Sequence, residues 1–242
     1  MALCLLAASC ALRKQDPAAE ALQPLSPGRL RVVWCQDRGD QRDVFARGTN
    51  LVLMGYDSAD GRGEREILSS SANYDKPLLT PDGQRVVYSD NPSRKAFIVN
   101  WDGGKHRAFA DGRVLATWRD PGTGRDWVYV QSGPDRDRFD GNPVYRHPLD
   151  DLDARELAWD GAPASHDSFQ LSADGRMAGG QFPWPQAGVA DLEDGSWERV
   201  GKGCWTSFAP DNSYLLWIFD GSHRQAVMHP RGGGDPWKVQ MN

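Results

Sequence analysis

One short phrase recurs along this chain at intervals of roughly 40 residues. It reads SPGRLRVVW at 26–34, TPDGQRVVY at 80–88, PGTGRDWVY at 121–129, SADGRMAGG at 172–180 and APDNSYLLW at 209–217. Each copy is a tight polar turn followed by a run that is mostly apolar or aromatic. A fixed period of this length means stacked or radially arranged units, each of which needs neighbours to bury its apolar face.

The phrase has a second half. Another strand and turn follow in AFIVNWDGGKHRAF (96–109), AGVADLEDGSWERV (187–200) and AVMHPRGGGDPWKV (226–239). Longer versions stand at 51–68 and 143–159. Gly83 to Gly103, Gly175 to Gly195 and Asn212 to Gly232 are each 20 residues apart. Asp-Gly, Gly-Gly and Asp-Asn pairs supply positive φ at little steric cost. The intervening runs are short and rich in Val, Ile, Leu, Tyr, Phe and Trp, which is the strand signature. The expected fold is all-β: a β-propeller of about five four-stranded blades, with repeats at 26–70, 71–112, 113–162, 163–202 and 203–242. Either five blades close into a ring, or the chain is a fragment of a six- to eight-bladed one.

The phrase resembles the repeats of TolB-like, WD40-like (PD40) propellers. The second unit carries the likeness best, with Lys76-Pro77-Leu78-Leu79-Thr80-Pro81-Asp82-Gly83 and then Ile98-Val99-Asn100-Trp101-Asp102-Gly103-Gly104. The likeness extends over 26–242. The first unit has shifted its Gly, and the third keeps only Gly124 and its strands. Such a resemblance implies a fold and leaves function open, because one fold hosts many activities.

Ten tryptophans are a heavy load for 242 residues. Large flat side chains suit the gaps between propeller sheets, so most are expected there. Trp184, in the Pro-rich QFPWPQ stretch, is the better candidate for an exposed stacking surface. The formal net charge is −5 with no basic block, which removes the electrostatic term that nucleic-acid binding needs. Cys35 and Cys204 fall in the first and last units and are expected to be separate thiols, although a closed ring would make a bridge conceivable.

The chain opens MALCLLAASC. Residues 1–9 read as a short signal peptide and Ala7-Ala8-Ser9-Cys10 resembles a bacterial lipobox, which implies lipidation of Cys10. Residues 10–25 would then be a tether. The implied location is the periplasm or outer membrane, with membrane contact only through that anchor.

The first strand of each blade lines the central channel and runs into the Pro-Asp-Gly turn, so its residues align by counting back. Eight before Asp82 is Tyr74, eight before Asp174 is His166, and eight before Asp211 is Gly203. The channel mouth should therefore present Tyr74, Asp75, His166, Asp167 and Trp205. Convergent polar groups in a concave site are the default binding hypothesis. No nucleophile elbow, zinc-peptidase motif or P-loop is present. The leading expectation is a binding scaffold with no cofactor, engaging a protein, peptide or glycan. The alternative is suggested by resemblance to propeller-type oligogalacturonate lyases. It is a divalent-metal enzyme acting on an acidic oligosaccharide, with His166, His223 and Gln170 as ligands. His106 and His147 are expected in outer turns, without a role.

Overall fold

The computed structural model describes residues 28–241 apart from 40–42, 44–46, 133–139 and 233. The signal segment 1–9, Cys10 and the 10–25 tether lie outside the described residues. The regular structure described is entirely strand.

The first sheet contains β1 (Arg31–Asp37), β2 (Leu51–Asp57) and β3 (Arg65–Ala72). The second contains β4 (Asp75–Leu79), β5 (Arg85–Asp90), β6 (Lys95–Asn100) and β7 (Arg107–Asp111). In the third unit come β8 (Arg113–Arg119), β9 (Asp126–Gln131), a two-residue β10 (Asp140–Gly141), β11 (Val144–Pro148) and β12 (Glu156–Trp159). β10 leaves this sheet to pair with β13 (Ala164–Ser165). The fourth sheet is β14 (Phe169–Leu171), β15 (Met177–Gln181), β16 (Gln186–Asp191) and β17 (Trp197–Lys202). The fifth is β18 (Cys204–Phe208), β19 (Leu216–Phe219), β20 (Gln225–His229) and β21 (Trp237–Gln240). Sheets two to five are four-stranded antiparallel meanders, and the described part of the first has three strands.

The sheets pack in chain order: β1 on β4, β5 on β8, β8 on β14, and β15 on β18. β8 and β18 each touch the second strand of the sheet before, and β14 touches the innermost one, so successive sheets stack around their innermost strands as propeller blades do. Alternation builds the cores between them. Leu51, Leu53 and Ile67 meet Tyr74, Val86, Tyr88 and Val99 between sheets one and two. Val87, Ala96 and Ile98 meet Val114, Val128 and Val130 in the next gap. Leu115, Tyr129 and Trp159 meet Phe169, Phe182 and Ala190 in the one after.

Tryptophans divide as their positions demand. Trp101, Trp127 and Trp159 are buried. Arg31 and Arg65 lie 4.8 and 5.1 Å from the Trp101 ring, and Arg125 and Arg146 lie 5.0 and 4.4 Å from that of Trp127. The arginine stems thereby seal the rims of two blades. Trp184, Trp205 and Trp237 are exposed.

The recurring turns share one hydrogen-bond design. In the second sheet Thr80 Oγ1 donates to Asp82 Oδ1 (2.5 Å) and accepts from the Arg85 amide (3.0 Å). Asp82 Oδ1 also accepts from the Gln84 amide (2.9 Å), while Gly83 takes φ +67. Ser172, Asp174 and Gly175 repeat this in the fourth sheet. The third unit has lost the Asp after its Pro, and Asp120, before it, supplies the carboxylate to the Gly122 amide (2.8 Å). In the fifth turn the left-handed residue is Tyr214 (φ 53), not Asn212. Asn212 instead accepts from the Asp174 amide (2.9 Å), and Tyr214 donates to Asp174 Oδ2 (2.5 Å), which joins turns four and five.

Candidate functional site

An inner strand that ends in one of these turns must begin on the opposite face. There the repeat stops being regular. The β4–β5 ladder slips between Asp75 and Leu78, and the β18–β19 ladder slips between Cys204 and Ser207. Within each slip one residue takes a left-handed backbone, Lys76 (φ 50) and Trp205 (φ 52). Both stand six residues before the Asp of their turn. Such irregularities re-aim side chains at the rim of a sheet.

The re-aimed Lys76 crosses to the segment between β13 and β14, where its Nζ donates to the carbonyl of His166 (2.6 Å), 90 positions away. The His166 side chain is wholly buried. Its Nδ1 lies 3.5 Å from both Asp75 Oδ2 and Asp167 Oδ1, and its Nε2 lies 3.4 Å from Ser89 Oγ. Asp75 also accepts from Asn91 Nδ2 (2.8 Å), and Asn91 Oδ1 accepts from Arg113 Nε (2.9 Å). Side chains of the second, third and fourth units thus form one polar cluster at the mouth.

Burial sets its electrostatics. Desolvation pushes the His166 imidazole below its ordinary range, against the pull of Asp167 and Asp75, so the ring is neutral at neutral pH. The hydrogen bond from His166 holds the Asp167 carboxyl below the usual carboxylate range. Burial pushes Lys76 down to about 8, opposed by the fields of Asp167 and Asp75. Burial likewise lowers Arg113, again opposed by the two carboxylates. Two carboxylates and two cations therefore balance behind a surface where Asp167 alone of the pair is open, its side chain 51% exposed against 11% for Asp75.

Of the residues singled out in the sequence, Asp75, His166 and Asp167 come together here. Tyr74 faces the other way, because successive strand residues alternate. It is 1% exposed, packs edge-on to Tyr88 at 5.0 Å, and donates its hydroxyl to the Ser70 carbonyl (2.7 Å). Trp205 stands exposed at the head of β18. Lys76, Arg113, Asn91 and Ser89 escaped the sequence reading. Lys76 was open to the same counting that gave Asp75. Arg113 opens the third unit, whose displaced turn offered no Asp-Gly to count from.

The metal-binding alternative finds a different setting. Gln170 Oε1 is engaged by the Phe208 amide (2.8 Å) and Ser207 Oγ (2.9 Å), which ties sheet four to sheet five. His223 sits in an exposed turn whose carboxylate, Asp220, bonds Ser222 and the Arg224 amide. Among the described residues no group of three or more His, Cys, Asp and Glu could hold a metal ion. The Lys76 ammonium supplies the positive charge that Asp75 and Asp167 would otherwise draw from a cation. His147 lies in β11 and not in a turn: it is buried, and its Nδ1 meets the Leu152 carbonyl at 3.0 Å. His106 meets the Tyr88 hydroxyl at 2.6 Å. Cys35 and Cys204 are free thiols. Cys35 donates to the Tyr74 carbonyl, and burial pushes its thiol up to about 12.

No family model matches the chain, and no curated protein matches it in sequence. Solved structures do match. TolB from Acinetobacter baumannii aligns with a TM-score of 0.55 at 17% identity, over 92% of this chain and 57% of that one. A puromycin-hydrolyzing peptidase from Mycobacterium tuberculosis aligns at 0.54 and 16%, over 78% and 33%. An oligogalacturonate lyase from Vibrio parahaemolyticus aligns at 0.51 and 16%, over 86% and 61%. This chain spans less than two thirds of each. The fold is therefore an all-β propeller of the TolB-like kind, and likeness at this level speaks to fold alone. No helix among the described residues is long and apolar enough to cross a membrane.

Proposed function

We propose that this chain is a non-enzymatic binding scaffold of the cell envelope, taking a protein, peptide or glycan at the mouth around Asp167 and the neighbouring loops. The observation that carries the reading is the half-exposed Asp167 carboxylate, fixed on a buried, hydrogen-bonded and charge-balanced base. A rigid acceptor of this kind suits recognition of amides, ammonium groups or hydroxyls. It lacks the partner that acid–base chemistry would use, because the neutral His166 beside it is sealed from solvent. The Gly203 amide donates to the Pro185 carbonyl (3.2 Å), which sets the Trp184 turn beside the head of β18, and the exposed Trp184 and Trp205 add apolar contact area there. The amino-terminal reading, with a signal segment at 1–9, a tether at 10–25 and a lipidated Cys10, supports an envelope location. A native mass retaining an unmodified Met1 would refute that anchor.

A panel of peptides and oligosaccharides tests the site. One class should bind saturably, and Asp167→Asn should weaken it by at least about tenfold, the loss of one charge-assisted contact. Divalent-metal-dependent cleavage of an acidic oligosaccharide, abolished by His166→Ala, would overturn the proposal in favour of the lyase-like reading.

A further inference from the structure

Three grooves open on the turn face, one between each successive pair of sheets from the second to the fifth. Their recurrence follows from the repeat, so their shape alone says nothing about ligands. Their charges differ, and the pseudo-symmetry makes each a control for the others.

The groove between sheets three and four, about 290 Å³, is lined by Arg146 and Arg176 together with Asp174 and Glu193. Arg146 is closed by Glu156 (2.7 Å), and Arg176 by Asp191 (3.1 Å) and Glu193 (3.4 Å). The groove between sheets four and five, about 400 Å³, sets Arg199 and Arg231 against Glu198. The groove between sheets two and three, about 290 Å³, holds Arg85, Lys105 and Arg107 with one carboxylate, Asp150. Asp150 is already bonded to Arg125 at 3.0 Å. Lys105 and Arg107 make no ion pair among the described residues. Arg85 is oriented by the Leu149 carbonyl (2.8 Å), with its nearest carboxylate, Asp82, at 3.7 Å. In a chain of net charge −5, this is a local excess of positive charge.

The floor is apolar. Ile98, Leu149 and Leu152 are 4%, 4% and 5% exposed and continue the core between the two sheets. Arg107 is paired across the ladder with Ile98, so its charge rises from the edge of that floor. Asn100, paired with Arg85, adds an amide beside the cations.

We infer that this groove binds a small organic anion, with a carboxylate or phosphate head between Arg85, Lys105 and Arg107 and an apolar body on Ile98, Leu149 and Leu152. The groove between sheets four and five also has an apolar lining but only two arginines, so three cations beside a single, already paired carboxylate distinguish the groove between sheets two and three. The site is on the opposite face from the mouth and does not depend on the function proposed for it.

Amide chemical-shift titrations of the full chain at low ionic strength test this with hexanoate, hexyl phosphate and the neutral hexanol. At least one anion should produce saturable shifts at 98–107 and 149–152, and the comparison of the two identifies the head group. Hexanol should produce none. Lys105→Glu with Arg107→Glu should weaken binding by at least about tenfold, as loss of charge-assisted contacts requires. Both side chains are exposed, and Lys105→Gln with Arg107→Gln provides a milder version that should show the same direction. Absence of saturation by both anions, equal binding of hexanol, or unchanged affinity in the paired variants would overturn the inference.

Discussion

The two ends of the inner strands obey different rules. At the turn end each unit solves one problem, reversing the chain within a few residues, and four turns reach the same answer with a side-chain carboxylate on backbone amides. At the mouth end nothing forces uniformity. One strand opens with Asp75 and Lys76, another with Arg113, another follows His166 and Asp167, and the last opens with Cys204 and Trp205. The turn end is constrained by backbone geometry, while the mouth end is constrained only by the need to neutralise what it buries. Repetition therefore marks where this chain is built, and departure from repetition marks where it can recognise something.

The largest test of that contrast is a pair of glycines in equivalent turns. Gly175 (φ +72) faces the Trp118 indole, and a β-carbon there would lie 2.3 Å from it. Gly124 (φ +72) has open space around it. Gly124→Ala pays only for a left-handed backbone, about 1–2 kcal/mol. Gly175→Ala adds displacement of Trp118, whose Nε1 bonds the Ala173 carbonyl at 3.0 Å, and should reach about 3–4 kcal/mol. Urea denaturation of the two variants measures the difference. Equal losses would mean that the interface between blades three and four yields freely at this turn.

A smaller effect should appear at the mouth, as a slope with pH. Lys76 titrates near 8 in the fold and at 10.5 in the unfolded chain. Between those values the unfolded chain holds a proton that the folded chain has released, so stability rises with pH through this window. Below about pH 8 the fold carries the full desolvation penalty. In Lys76→Met this contribution to the slope vanishes, leaving a wild-type minus variant difference of about 2 kcal/mol or less across pH 8–9.5. His166 acts on the acid side. Its depressed titration makes the fold lose stability as pH falls below the ordinary imidazole value of 6.5, and His166→Gln should flatten that limb. Parallel pH profiles for wild type and both variants would show that the mouth cluster is not coupled to folding.

How much of this was legible in the sequence follows the same division. The strands, the turn positions and the sheet order were readable because Asp-Gly and Gly-Gly pairs force φ locally, with no knowledge of distant contacts. The third turn hid its carboxylate at Asp120, on the other side of Pro121, and so hid the register of Arg113. At the mouth, counting brought out Asp75, His166 and Asp167. It grouped Tyr74 with them although alternation turns neighbouring residues to opposite faces, and it could not foresee the ladder slip after Asp75, which is set by tertiary packing. It also could not show that Lys76 would reach the His166 carbonyl 90 positions away, since that contact exists only once the blades are stacked.

The smallest effects belong to the turn hydroxyls and the rim. Thr80→Val keeps the shape of the side chain and removes an oxygen that both donates to Asp82 and accepts from the Arg85 amide. The amide retains no substitute within the turn, so a loss of about 1–1.5 kcal/mol is expected. Arg146→Gln removes an exposed pair with Glu156 and a cation 4.4 Å from the Trp127 ring. Exposed pairs of this kind contribute about 0.2–1 kcal/mol, and Arg125 still covers the other part of the ring, so about 0.5 kcal/mol should be lost. Chemical denaturation in low and high salt separates the two: screening should shrink the Arg146 effect and leave the Thr80 effect unchanged. A Thr80→Val loss no larger than that of Arg146→Gln would mean that the recurring hydroxyl follows the turn and does not help to hold it. The uniformity of the turn face would then rest on its glycines and carboxylates alone.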